Sequence, residues 1–245
     1  MARFAMIRWW FSTSDMPESG RQLRLDLRGS APFRRADFIV SPANAEALRA
    51  LDAWPNWHGG CLTLVGPSGS GKSHLAQTWA GHANAVVLAA DEPLGEHALP
   101  RLAGRPVLVE DADRGAGEEL LFHLINMAGA RGGGLLLTAR RPPSGWPAAL
   151  PDLRSRLNAL PVAELLPPDD AVLSAALGKF FRERNIRPAD DLIPYLLRRI
   201  ERSIPRARAF VATLDETADA ERRPISRALA RRILENEAAA GDLTD

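Results

Sequence analysis

Eight consecutive residues constrain this chain more than any others: Gly66-Pro67-Ser68-Gly69-Ser70-Gly71-Lys72-Ser73. They match G-x-x-x-x-G-K-[ST] at every fixed position. The apolar run Cys61–Val65 precedes them and a helical pattern begins at Ser73, so the segment reads as strand, loop and helix. The glycines let the loop wrap closely and turn successive backbone N–H groups inward as an anion nest. The helix N-terminus adds its partial positive charge. In such a loop Lys72 reaches the β- and γ-phosphates of a nucleotide, and the Ser73 hydroxyl holds Mg²⁺. Of the 31 basic residues only Lys72 and Lys179 are lysines, which makes a lysine in the required slot informative.

A strand–loop–helix unit of this kind needs parallel neighbours. Further short apolar runs occur at Ala85–Ala90, Val107–Val109 and Gly134–Thr138, and they read as buried strands. Helical spacing fills Ser73–His82 and Gly117–Ala130. The pattern predicts an α/β parallel sheet with crossover helices over residues 38–166. After Pro167-Pro168 the strand signals stop. Asp169-Asp170 opens a helix running to about Asn185, a second follows Pro188-Ala189-Asp190, a third covers Arg206–Ala220, and a fourth runs from Pro224 to about Glu237. Residues 167–245 therefore read as a small all-helical domain. Residues 1–37 read as a flexible leader.

The sequence is 46% hydrophobic and 25% charged with a formal net charge of +1, which excludes a disordered chain and leaves no global field to pull it onto nucleic acid or membrane. The lone Cys61 excludes a disulfide scaffold. No window approaches a membrane span. The apolar start Met1–Phe11 lacks a cleavage signal. It reads as a start codon set too far upstream, with Met16 the expected first residue and the protein cytoplasmic.

A phosphate-binding loop also needs an acid at a neighbouring strand end. Val107-Leu108-Val109-Glu110-Asp111 supplies it, with Glu110 expected at the metal and Asp111 beside the water. The usual order places Asp first. The extra methylene of Glu110 points to a site that binds nucleotide better than it hydrolyses it.

The motifs in order resemble one family. Gly71-Lys72-Ser73-His74-Leu75 is similar to the extended P-loop of the bacterial initiator DnaA and its shorter relative Hda, both AAA+ proteins. Phe38-Ile39-Val40-Ser41-Pro42-Ala43-Asn44 resembles the segment that packs against adenine, which implicates Ile39 and Val40. Leu136–Pro143 looks like the sensor-one strand and its exit, Leu153-Arg154-Ser155-Arg156-Leu157 like the arginine-finger segment, and Arg208–Asp215 like the sensor-two helix.

The resemblance implies an AAA+ α/β domain with a helical lid, ADP or ATP with Mg²⁺ on Gly66–His74, and Arg208 reaching back to the phosphates. It also implies Arg156 acting in trans on a neighbour's nucleotide. DnaA carries a further DNA-reading domain, and no room for one is expected after residue 235. Hda-type proteins dock instead on the DNA polymerase III β sliding clamp. Gln22-Leu23-Arg24-Leu25-Asp26-Leu27 is similar to their docking peptide, with Gln22 as polar anchor and Leu23, Leu25 and Leu27 on one side of an extended segment.

The expected function is clamp-dependent stimulation of ATP hydrolysis by DnaA, which prevents re-initiation. Alternatives are a self-contained oligomeric ATPase of helicase-loader type, or a clamp-independent regulator that binds DnaA or DNA. A homo-oligomer stays open. Acids interspersed among the lid arginines limit direct DNA contact to a weak, nonspecific one. One departure stands out: Arg140 occupies the place where the family's sensor-one strand usually ends in Asp.

Overall fold

The computed structural model describes residues 38–90, 99–129 and 133–241. Five parallel strands, β1 (Cys61–Val65), β2 (Val86–Ala89), β3 (Val107–Glu110), β4 (Leu135–Ala139) and β5 (Val162–Glu164), form one sheet in the order β2-β3-β4-β1-β5. Nine helices accompany them among the described residues. The first five are α1 (Ala45–Asp52), α2 (Lys72–Ala83), α3 (Leu99–Leu102), α4 (Glu118–Gly129) and α5 (Pro151–Ala159). Four more follow the last strand: α6 (Asp170–Glu183), α7 (Leu192–Leu197), α8 (Ile204–Glu221) and α9 (Arg227–Gly241).

The sheet is buried on both faces because alternate residues of each central strand serve opposite cores. Leu62 and Leu64 of β1, Leu108 of β3 and Leu136 of β4 pack with Ala47, Leu48 and Leu51 of α1 and with Leu75, Ala76 and Trp79 of α2. Cys61, Val107, Val109, Leu135, Leu137 and Ala139 face the other way, onto Leu121, Leu124 and Ile125 of α4 and Leu153 and Leu157 of α5. The four strands read from apolar runs are thus present within a residue of their expected limits. β5 was not expected as a strand. Its three residues leave only Ala163 buried and Val162 and Glu164 exposed, so no apolar run marks it, and pairing to β1 makes it a strand.

The last four helices enclose a separate core around Leu173, Leu177, Phe181, Leu196, Phe210 and Leu214. Asp169 starts α6 by accepting the Val172 N–H at 3.0 Å, and that bond holds its carboxyl below the usual range. Ser203 caps α8 with Pro205 in its first turn, two residues ahead of the expected start. Arg184 meets Asp215 at 2.9 Å across this core, and Asp215 is only 5% exposed.

Candidate phosphate-binding site

The loop after β1 emerges at the C-terminal edge of the sheet. Its first N–H, from Gly66, donates to the Ala139 carbonyl at 3.2 Å, which ties it to β4. On the other flank a Cβ at Gly66 would lie 2.2 Å from the Leu165 carbonyl oxygen, so only glycine fits between β4 and the exit of β5. Pro67 and Ser68 are exposed at the turn. Gly69 has φ +78 and takes the Ile204 N–H on its carbonyl at 3.2 Å. The N-terminus of α8 therefore rests directly on the loop. Ser70 is buried, and Gly71 precedes α2.

Lys72 is 7% exposed. Its Nζ donates to the carbonyls of Gly66 and Pro67, each at 2.8 Å. Burial pushes its ammonium below the usual range; Asp111 opposes this, Arg140 reinforces it and Asp113 opposes it. A buried cation held on two carbonyls at the mouth of a helix is a group an anion would stabilise. The Ser73 hydroxyl is exposed one residue on.

The acids divide. Glu110, at the end of β3, accepts from Gln77 Nε2 at 2.9 Å through one oxygen, and the other, Oε1, is buried without a hydrogen-bond partner. Gln77 lies four residues after Ser73 on the same helix face, so Glu110 is held along the side of α2 that bears the Ser73 hydroxyl. An orphaned carboxylate oxygen on a side chain held against the helix face that carries that hydroxyl fits Mg²⁺, which takes few protein ligands and keeps its waters. Among the described residues no cluster of three or more His, Cys, Asp or Glu offers another metal site. Asp111 is left-handed (φ 50), its N–H donates to Thr138 Oγ1 at 2.9 Å, and its carboxylate faces Arg114 at 3.8 Å. Asp113, not foreseen from the sequence, accepts the Arg140 N–H at 3.0 Å and leaves a second buried oxygen without a partner.

A cavity of about 370 Å³ opens beside the loop, lined by Phe38, Ile39, Asn44, Ser70, Gly71 and His74 on one side and by Lys179, Phe180, Arg182, Ile204 and Arg208 on the other. Asn44 shapes its floor by accepting the Ser41 N–H and donating to the Ile39 carbonyl, both at 2.9 Å. Phe38 stacks on His74 at 5.7 Å. Ile39 is in the wall, but Val40 is 59% exposed and outside it. Both lysines of the chain thus belong to this region. Their scarcity is the signal that marks Lys179, which the motifs missed.

Three arginines compete for a role in the lid. Arg202 pairs with Asp170 at 2.7 Å and Arg206 with Glu237. Arg208 alone of the three lines the cavity, its guanidinium 4.3 Å from the Phe180 ring and 3.1 Å from Glu183. On α5, Arg154 is spent on the carbonyls of Trp146 and Ala148 at 3.0 and 3.1 Å. Arg156 is exposed, its guanidinium 5.1 Å over Phe122. Gln22, Leu23, Leu25 and Leu27 lie outside the described residues. No helix among the described residues is long and apolar enough to cross a membrane.

No known family model matches the chain. It is 29% identical over 113 residues to the chromosomal replication initiator protein DnaA of Thermomicrobium roseum, which is 46% of this chain and 24% of that protein. It therefore spans about a quarter of that relative's length. Domain III of Thermotoga maritima DnaA superposes with a TM-score of 0.69 at 18% identity, covering 82% of this chain and 95% of that one. AMPPCP-bound DnaA from Aquifex aeolicus gives 0.62 at 18%, covering 75% and 65%. The Thermotoga maritima RuvB branch migration motor gives 0.63 at 18%, covering 83% and 72%. The chain has the AAA+ P-loop α/β fold found in DnaA domain III and RuvB, and part of it is related in sequence to DnaA.

Proposed function

We propose that this protein is a clamp-dependent regulator of replication initiation of the Hda type. It binds ADP or ATP at Gly66–His74, docks on the β sliding clamp through Gln22–Leu27, and presents Arg156 to the ATP held by DnaA. The Gly66–Ser73 nest and Lys72 receive the phosphates. Ser73 and Glu110 hold Mg²⁺, which neutralises phosphate charge when bound. Asp111 lies nearest in sequence to Glu110, as the acid beside the water. Ile39 and the cavity wall take the base, and Arg208 closes from the lid.

The observation that carries the regulatory reading is the contrast on α5. Two arginines lie two residues apart, both exposed; Arg154 is tied down by backbone carbonyls, whereas Arg156 rests on the Phe122 ring. A guanidinium resting on an aromatic ring is oriented at small cost and can leave it for a phosphate. Supplied in trans, such a group stabilises charge developing on a transferred phosphoryl. The reaction is phosphoryl transfer to water in the partner's pocket, and this chain's own turnover is weak. Nucleotide on this chain then serves to seat the lid. The test is DnaA-ATP hydrolysis with wild-type protein and with Arg156→Ala. The variant should fold and bind nucleotide normally yet fail to stimulate; normal stimulation defeats the assignment.

A further inference from the structure

We propose that the lid carries a second binding site, a groove between α7, α8 and α9 that takes an acidic, leucine-bearing peptide segment of a partner protein.

The groove follows from how α9 packs. Leu229, Ala230 and Ile233 are buried in the lid core, which leaves Arg227, Arg231, Leu234 and Ala238 together on another face of the helix. Across from that face stand Tyr195 of α7, Arg199 just past its end, and Arg206 of α8. The cavity between them measures about 1010 Å³ and shares no lining residue with the nucleotide cavity.

Charge defines the occupant. Four guanidiniums line the groove with two carboxylates, Glu235 and Glu237. Arg231 is held by Glu235 at 2.7 Å, and Arg206 pairs with Glu237. Arg199 and Arg227 carry the excess. Both lie against the Tyr195 ring, 4.3 and 4.8 Å from its centre, and Arg227 reaches Asp191 only at 3.9 Å. A guanidinium resting on an aromatic ring is already oriented, so it loses little freedom on meeting a carboxylate. Tyr195 is 2% exposed; its ring steers the arginines and is closed to a stacking base.

The two glutamates decide between polyanions. A nucleic-acid strand carries a charge at every phosphate and sets some of them against Glu235 and Glu237. A peptide can place carboxylates at Arg199 and Arg227 and uncharged side chains at the glutamates. Ala228, Leu234 and Ala238 give it an apolar floor. The wall from Arg227 to Ala238 runs about 17 Å along α9, the length of about three turns of an amphipathic helix laid in the groove.

The experiment is fluorescence anisotropy of the full chain with a labelled three-turn peptide of aspartate and leucine, the leucines at helical spacing. The wild-type protein should bind it saturably. Arg199→Ala and Arg227→Ala should each weaken binding about 10-fold, and together about 100-fold. Arg198→Ala, exposed but outside the groove, should change nothing, and the peptide with asparagine in place of aspartate should not bind. ATP affinity should be the same in every variant, which separates loss of the groove from loss of the fold. Failure of the acidic peptide to bind, or equal binding by the double variant, overturns the proposal. Tighter binding of an oligothymidylate than of the peptide, lost in the double variant, overturns it in favour of nucleic acid.

Discussion

Gly69→Ala tests whether the lid is seated on the phosphate loop. Gly69 has φ +78, and a Cβ there would lie 2.3 Å from Ser203 Oγ, 3.0 Å from Ser203 Cβ and 3.2 Å from Pro205 Cδ. Rotating the hydroxyl away leaves the Cβ contact, so α8 must retreat. Three losses follow. Alanine in left-handed backbone costs about 1 kcal/mol. Moving Ser203 weakens its cap on the Arg206 N–H, worth about 1 kcal/mol. The Ile204 N–H to Gly69 carbonyl bond is lost, worth about 1 kcal/mol. The sum is about 3 kcal/mol, read by urea denaturation. Ser203→Gly removes the obstruction and costs only a few tenths of a kcal/mol as a cap. The double variant should therefore recover about 1–2 kcal/mol relative to additivity. Strictly additive losses, or a cost for Gly69→Ala below about 0.5 kcal/mol, refute the seating.

Nucleotide affinity should fall as pH rises through the depressed pKa of Lys72, which lies below 10.5, because the neutral amine must then take up a proton on binding. The decline reaches about tenfold per pH unit, and Lys72→Arg, charged throughout, should flatten the titration profile. Arg184→Ala removes the guanidinium that pairs with the buried Asp215 carboxylate at 2.9 Å and should cost about 2–4 kcal/mol of unfolding free energy, measured by thermal melting. Leu25→Ala with Leu27→Ala should abolish binding to immobilised clamp while leaving ATP affinity unchanged; retained clamp affinity removes the docking peptide from the account.

The sheet was legible because Cys61–Val65, Val107–Val109 and Gly134–Thr138 are apolar at nearly every position, as strands covered on both faces must be. β5 was not, since an edge strand with one buried residue carries no such run. The loop declared itself because its backbone demands fix residue types. Asp113 did not: it lies in a tight turn after β3, and only folding brings it to the Arg140 N–H. The choice among Arg202, Arg206 and Arg208 was likewise closed to sequence reasoning. Their spacing is too near to separate, and all three are ion-paired; what sets Arg208 apart is that it alone of the three lines the cavity. Val40 shows the opposite limit, since a motif can mark a segment without saying which of its side chains faces the cavity.

In the proposed function this chain completes a catalytic site in another protein. The most direct test is single-turnover hydrolysis of ATP bound to DnaA, with DNA-loaded clamp, comparing wild-type protein, Arg156→Ala and no addition. Stimulation should require both clamp and Arg156, with the variant slower by about 10³-fold or more. Equal stimulation by Arg156→Ala, or hydrolysis indifferent to the presence of the clamp, contradicts it.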